Sequence, residues 1–209
     1  MPLPLITANM RFDIILRAIE AVLFAESENQ KKLGGYGWHT VRERFDPWSL
    51  TFDKFNPGAV NVSWSSSNYP EAESDHFEMV SNSEFSVDCY ASEKAFEIVG
   101  TVFPKDQRTA DILHALISKV FYTLMSPINI DLGFAPGYVI RPFVTSVNKF
   151  IPTQSGVPVQ GVLAARFAYR IKHLEIPPEA AGVSLNYINV KSNREDGVLY
   201  VEQDFDYTT

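Results

Sequence analysis

The segment that most constrains the fold is Val162–Ile176. Leu163, Ala165, Phe167, Tyr169 and Ile171 alternate there with Arg166, Arg170 and Lys172. A period of two sustained over so long a run fits a β-strand with one face buried and one face open. Pro177-Pro178 ends it. A strand of that length needs neighbours to pair with and a layer to cover its apolar face.

Two further alternating runs are candidates for the neighbours. In Tyr138–Phe150, Tyr138, Ile140 and Val144 oppose Arg141, Thr145 and Lys149. Pro142 cannot donate to a ladder, which predicts an edge strand or a bulge at that point. Phe85, Val87, Cys89 and Ala91 alternate with Glu84, Ser86, Asp88 and Tyr90. Phe96, Ile98, Val99 and Val102 are a weaker candidate for a short strand.

Two helical stripes supply the cover. From Met10 to about Leu33, Phe12, Ile15, Leu16, Ile19, Val22 and Leu23 recur at three- and four-residue spacing, so they share one face. Asn9 or Thr7 can cap the start, and Gly34-Gly35 predicts the stop. From Asp106 to Met125 the stripe is Leu113, Leu116, Ile117, Val120, Phe121 and Leu124, with Asp106 as cap and Pro127 beyond the end. His114 lies off this stripe, which predicts a surface position.

The sequence therefore predicts an α+β fold: an antiparallel or mixed β-sheet with two amphipathic helices packed on one face, plus a C-terminal β-hairpin. The hairpin is read from Val183, Leu185 and Tyr187, the polar turn Asn193–Gly197, and a return through Val198 and Tyr200 that can extend to Glu202. The closing stretch Asp204-Phe205-Asp206-Tyr207 alternates acid and aromatic. Residues 34–81 contain Pro47, Pro57, Pro70 and all three tryptophans, Trp38, Trp48 and Trp64. Within them Val60, Val62 and Trp64 predict a short strand. The remainder reads as an aromatic-rich insertion that folds against the body or a neighbouring subunit. At 209 residues the whole, 1–209, is expected to be one domain with this insertion and a C-terminal extension at 177–209.

Charge and cysteine content remove several function classes. A formal charge of −7 argues against a dedicated nucleic-acid binder, which needs a basic stripe. With Cys89 the only cysteine, no internal disulfide and no cysteine-based zinc site can form. Its place on the apolar phase of a strand predicts a buried, inert thiol. No secretory leader is expected after Met1-Pro-Leu-Pro-Leu, and charges interrupt every apolar stretch before it could span a membrane. The sequon Asn61-Val62-Ser63 is read as chance.

Catalytic patterns are sparse. His39, His76, His114 and His173 include no pair at metal-binding helical spacing. Glu73, Asp75, His76 and Glu78 cluster, but without the glycine turn and regular oxygen spacing of a calcium loop. No Gly-x-Ser-x-Gly elbow is present. Gly34-Gly35-Tyr36-Gly37 follows a helix and lacks a following Lys-Ser/Thr, so it predicts a turn rather than a phosphate cradle. No catalytic, cofactor-binding or metal residues are expected. The most prominent electrostatic feature is the basic row Arg166, Arg170 and Lys172, joined by Arg141 and Lys149. Either it is a solvated strand face, or it is a subunit interface that meets acid on a neighbour.

The order helix, irregular insertion, strand, helix, two long strands, hairpin resembles that of the tail terminator proteins of tailed bacteriophages. Three stretches carry the resemblance: the stripe Phe12-Asp13-Ile14-Ile15-Leu16-Arg17-Ala18-Ile19; the strand Glu84–Ala91 leading to the helix at Thr109–Leu116; and the two long strands that close the sheet. It covers roughly residues 10–33 and 83–176 and includes no diagnostic motif. It implies a non-enzymatic structural protein of the virion, assembled in the host cytoplasm as a homohexameric ring. Such a ring caps the tail tube, stops its polymerisation and joins the tail to the head connector. The implied partners are further copies of the chain, the tail tube protein, the head–tail connector or neck proteins and the sheath. DNA would pass through the lumen without specific binding, and no membrane or cofactor is involved. The expected docking elements are the strand edge containing Pro142 and the C-terminal hairpin. The insertion 34–81 and the extension 177–209 depart from smaller family members, which leaves open another neck, tail-completion or baseplate role.

Two other classes stand beside this one. A peptide- or sugar-binding module would use Trp38, Trp48, Trp64 and Tyr69 as a groove. An enzyme would need nucleophile, base and oxyanion donors in one place, and no residue set in the sequence supplies them.

Overall fold

The structure is a computed structural model and describes residues 11–52, 58–68, 79–92, 109–135 and 138–175. The expected caps Thr7, Asn9 and Asp106, the weak strand at 96–102, the cluster Glu73–Glu78 and the C-terminal hairpin lie outside these residues, as does Tyr69.

Chain order is α1 (Arg11–Lys32), β1 (His39–Arg42), a 3-10 turn (Pro47–Phe52), β2 (Gly58–Asn68), β3 (Met79–Ser92), α2 (Thr109–Met125), β4 (Val139–Phe150), β5 (Thr153–Gln154), β6 (Val157–Pro158) and β7 (Val162–Glu175). Five strands form one curled mixed sheet in the order β1-β2-β3-β7-β4. β1 runs parallel to β2, and every other pair is antiparallel. β5 and β6 make a separate small hairpin between β4 and β7. Its turn residues Ser155 (φ 52°) and Gly156 (φ 79°) are both left-handed, the conformation that suits a two-residue hairpin loop.

Both helices lie on the same side of the sheet, so the α+β class is as the sequence predicts. Ile15, Leu16, Ile19 and Leu23 of α1 and Ile112, Leu113, Leu116, Val120 and Leu124 of α2 meet Val60, Val62, Phe85, Val87, Cys89, Phe167, Tyr169 and Ile171 in one core. Each such side chain, fully buried, contributes roughly 1.5–3 kcal/mol of transfer free energy. α1 ends at Gly34 (φ 78°). The Gly35 N–H reaches back to the Gln30 carbonyl at 2.9 Å and the Gly34 N–H to the Lys31 carbonyl at 3.1 Å. This is the paired closing bond pattern that favours glycine just past a helix.

Several expectations change in detail. Residues 34–81 supply more than one short strand: β1 and the eleven-residue β2 are integral to the sheet, and Trp38 is core. β4 is an edge strand as Pro142 requires, but bulges between Val139 and Arg141 and between Val144 and Ser146 shift its phase. Val139 is therefore buried, and Ile140, expected on the apolar face, is exposed. Leu163 sits opposite Ala91 in register yet is 42% exposed. Phe121 is 37% exposed and packs edge-on against Tyr122. Ser86, Asp88 and Tyr90, the expected outward phase of β3, are buried too. The sheet's second side is covered at that end by Trp48, Leu50, Phe150 and Val159.

Candidate interaction surface

Cross-strand partners share a face, so the register of β3 against β7 decides what the basic row meets. Asp88 lies opposite Arg166, Glu84 opposite Arg170 and Asn82 opposite Lys172. Arg166 donates to the Asp88 carboxylate through Nε and Nη2, both at 2.7 Å. Arg170 donates to Glu84 through Nη2 at 2.9 Å. Two of the three cations thus meet acid within their own sheet.

The Arg166–Asp88 pair is the more enclosed. The Asp88 side chain is 4% exposed and that of Arg166 is 52% exposed. The guanidinium stands 5.1 Å over the Phe150 ring, and Phe150 packs edge-on to Tyr90 at 5.9 Å. The Tyr90 hydroxyl donates to Asp88 at 3.2 Å. The hydrogen bond to Asp88 makes Arg166 hold its proton more tightly. Burial raises the phenol pKa of Tyr90, and the Asp88 charge adds to the effect. A bidentate pair with a third hydrogen bond on the same carboxylate is a rigid clasp between β3 and β7.

Beyond this clasp none of the described residues covers the outward side. Ser66, Asn68, Asn82, Glu84, Phe143, Arg170 and Lys172 line a depression of about 490 Å³. Lys172 is exposed and has no acidic partner among the described residues. Arg141 lies opposite Lys172 in register, which places its backbone beside the depression. Lys149 is exposed but lies opposite Ala165, in phase with the helix-facing set. The five expected interface residues therefore divide: Arg166 is committed to Asp88, Arg170 and Lys172 border the open depression, Arg141 is adjacent on β4, and Lys149 is out of phase with the row.

On the helix side, three strands are joined by a polar chain that the sequence did not disclose. The Trp64 Nε1–H donates to Ser67 Oγ at 3.0 Å. Ser67 Oγ lies 2.6 Å from Ser83 Oγ, which lies 2.8 Å from His173 Nε2. Burial lowers the His173 pKa to about 4, and the nearby Arg11 charge works in the same direction, against a backbone hydrogen bond at Leu174. Arg11 is itself buried, with its guanidinium 3.8 Å over the Tyr138 ring. A serine beside a histidine base can be an activated nucleophile. Here Ser83 and His173 are both 0% exposed, and Ser83 also bonds Ser67, so the group ties β2, β3 and β7 together.

The three tryptophans share no groove. Trp38 is in the core, Trp48 packs against Tyr90 on the outward side, and Trp64 stacks on Phe12 of α1 at 4.6 Å. Cys89 is fully buried, which raises its thiol pKa. His114 is exposed. Among the described residues no group of three or more His, Cys, Asp or Glu side chains could hold a metal. None of their helices is long and apolar enough to cross a membrane. No family model matches the chain, and no curated protein matches it.

Proposed function

We propose that this chain is a ring-forming structural protein of a bacteriophage tail, a tail terminator that assembles as a homohexamer, caps the tail tube and joins it to the head connector. The observation that carries the reading is the asymmetry of the sheet. A helix layer covers the core of one side, while the other, among the described residues, is covered at one end only and is polar and open at the other. A subunit of this form can dock one neighbour on the open side and present different elements to the next. That is the head-to-tail arrangement which closes into a ring after a fixed rotation. The order of the helices and long strands supports the same reading. Its work is mechanical: contacts to further copies, to the tube protein and to neck proteins, around a lumen that DNA crosses without sequence-specific contacts.

Sedimentation of the full chain, alone and with purified tube protein, tests this. The expected result is a species of six chains, either free or formed on tube ends, together with shortened tubes when the protein is present during polymerisation. A chain that stays monomeric at every concentration and leaves tube length unchanged would overturn the proposal.

A further inference from the structure

The acid of this chain is unevenly placed. The described residues contain twelve Lys and Arg against eleven Asp and Glu, and the remaining residues contain six against fourteen, so the acidic excess resides in the rest of the sequence. After Arg194 the chain has Glu195, Asp196, Glu202, Asp204 and Asp206 and no further Lys or Arg. The last three of these acids are interleaved with Phe205 and Tyr207.

The depression on the outward side has the complementary composition. It offers one ring, Phe143, two cations, Arg170 and Lys172, and the neutral polar groups of Ser66, Asn68 and Asn82. Its one acid, Glu84, is engaged by Arg170, which leaves the charge of Lys172 uncompensated among the described residues. An alternating acid–aromatic segment matches such a site, because a carboxylate meets Lys172 while a ring covers Phe143.

We propose that the segment Glu202–Tyr207 of a second copy of this chain docks in the depression bordered by Phe143, Arg170 and Lys172. The inference rests on the self-assembly proposed above and names the contact that would join neighbouring subunits. Length permits it. Between Glu175 at the end of β7 and Glu202, the residues outside the expected hairpin, 176–182 and 201–202, extend by roughly 30 Å. A folded domain of this size has a radius of gyration of about 17 Å, so the segment can reach across to an adjacent subunit.

Cross-linking between two full-length variants tests the contact. One carries Ser66→Cys at the depression and the other Thr208→Cys just past the docking segment; Cys89 is buried and does not compete. Mixed and treated with a short bifunctional maleimide, they should give a covalent heterodimer. Its yield should fall about tenfold when Lys172→Glu is added to the first variant, and should also fall in high salt. Lys149→Glu, on the other phase of the sheet, should leave the yield unchanged. Six-chain assemblies that form without the heterodimer would overturn the docking contact and leave the ring standing. A chain that never self-associates would overturn both. A double variant, Ser66→Cys/Thr208→Cys, that cross-links only within a monomer would overturn the assignment to a second copy.

Discussion

Arg166 grips Asp88 directly across the β3–β7 ladder, with two hydrogen bonds of 2.7 Å onto a carboxylate that is 4% exposed. The pair is therefore part of the fold before it is part of any interface. Arg166→Ala should cost about 2–4 kcal/mol in urea unfolding, because it leaves a buried carboxylate without its cation. Asp88→Asn combined with Arg166→Met should recover most of that loss. A loss below about 1 kcal/mol for Arg166→Ala would show that water compensates Asp88. It follows that charge reversal at Arg166 is a poor probe of assembly, since the monomer itself suffers. Lys172 is the cleaner position.

Ser27 forms a second internal clasp. Its hydroxyl donates to the Trp38 carbonyl at 2.6 Å and accepts from the Trp38 N–H at 2.7 Å, with the serine fully buried. Ser27→Ala leaves both backbone groups of Trp38 without this partner, at an expected cost of about 2–3 kcal/mol. Chemical denaturation followed by tryptophan fluorescence measures it. A neutral result would mean that the loop from Gly34 to Trp38 re-forms its bonds elsewhere.

His173 makes stability depend on pH in a defined direction. Its pKa is lowered to about 4 in the folded chain, against about 6.5 when unfolded. Between those values the unfolded state binds more protons, so stability rises with pH. This contribution is complete above about pH 6.5 and is lost as pH falls towards 4, on the order of 3 kcal/mol. Urea titrations from pH 7.5 to 4 should show the slope, and His173→Gln should flatten it. An equal slope in the variant would assign the effect to other groups.

Gly58 is a packing constraint rather than a conformational one. A Cβ placed there would stand 2.9 Å from Leu116 Cδ2 of α2. Gly58→Ala should therefore destabilise the chain by about 1–3 kcal/mol through overpacking, and Leu116→Val in the same background should restore part of it. Additive losses in the double variant would show that the two positions do not share the strain.

Cys89 should be inert in the native state. It is fully buried on the helix side of β3, and burial raises its thiol pKa, which withholds the thiolate that reacts. A thiol reagent should label it only at the rate of unfolding. Rapid labelling under native conditions would contradict the placement of β3 under α1 and α2.

Most of the frame is legible in the residues, because the long elements have a clean period. β7 and β3 alternate, and α1 and α2 have single apolar stripes. Pro142 announces an edge, and β4 is one. β1 is illegible because its four residues, His39–Arg42, are all half-buried and show no alternation. The second half of β2, Ser65–Asn68, has no apolar residue to mark it. The bulges in β4 move Ile140 outward and Val139 inward, and no pattern of hydrophobicity reports a bulge.

Strand register, above all, decides the candidate surface. Glu84 and Asp88 are four apart on one strand, and Arg166 and Arg170 four apart on another. In an antiparallel pair that matched spacing aligns both ion pairs at once, and it was the available clue. The Ser67–Ser83–His173 chain left no comparable trace, because serines on a helix-facing phase read as breaks in an apolar pattern.

The two borders of the sheet have a consequence for how copies of this molecule can accumulate. One border is β1, only four residues long. The other is β4, in which Pro142 is flanked by two bulges. Among the described residues neither offers a long regular rail of free amides, so end-to-end stitching of these borders into an endless fibre is disfavoured. Growth of any assembly must be governed by side chains and projecting segments, which can be counted and can stop.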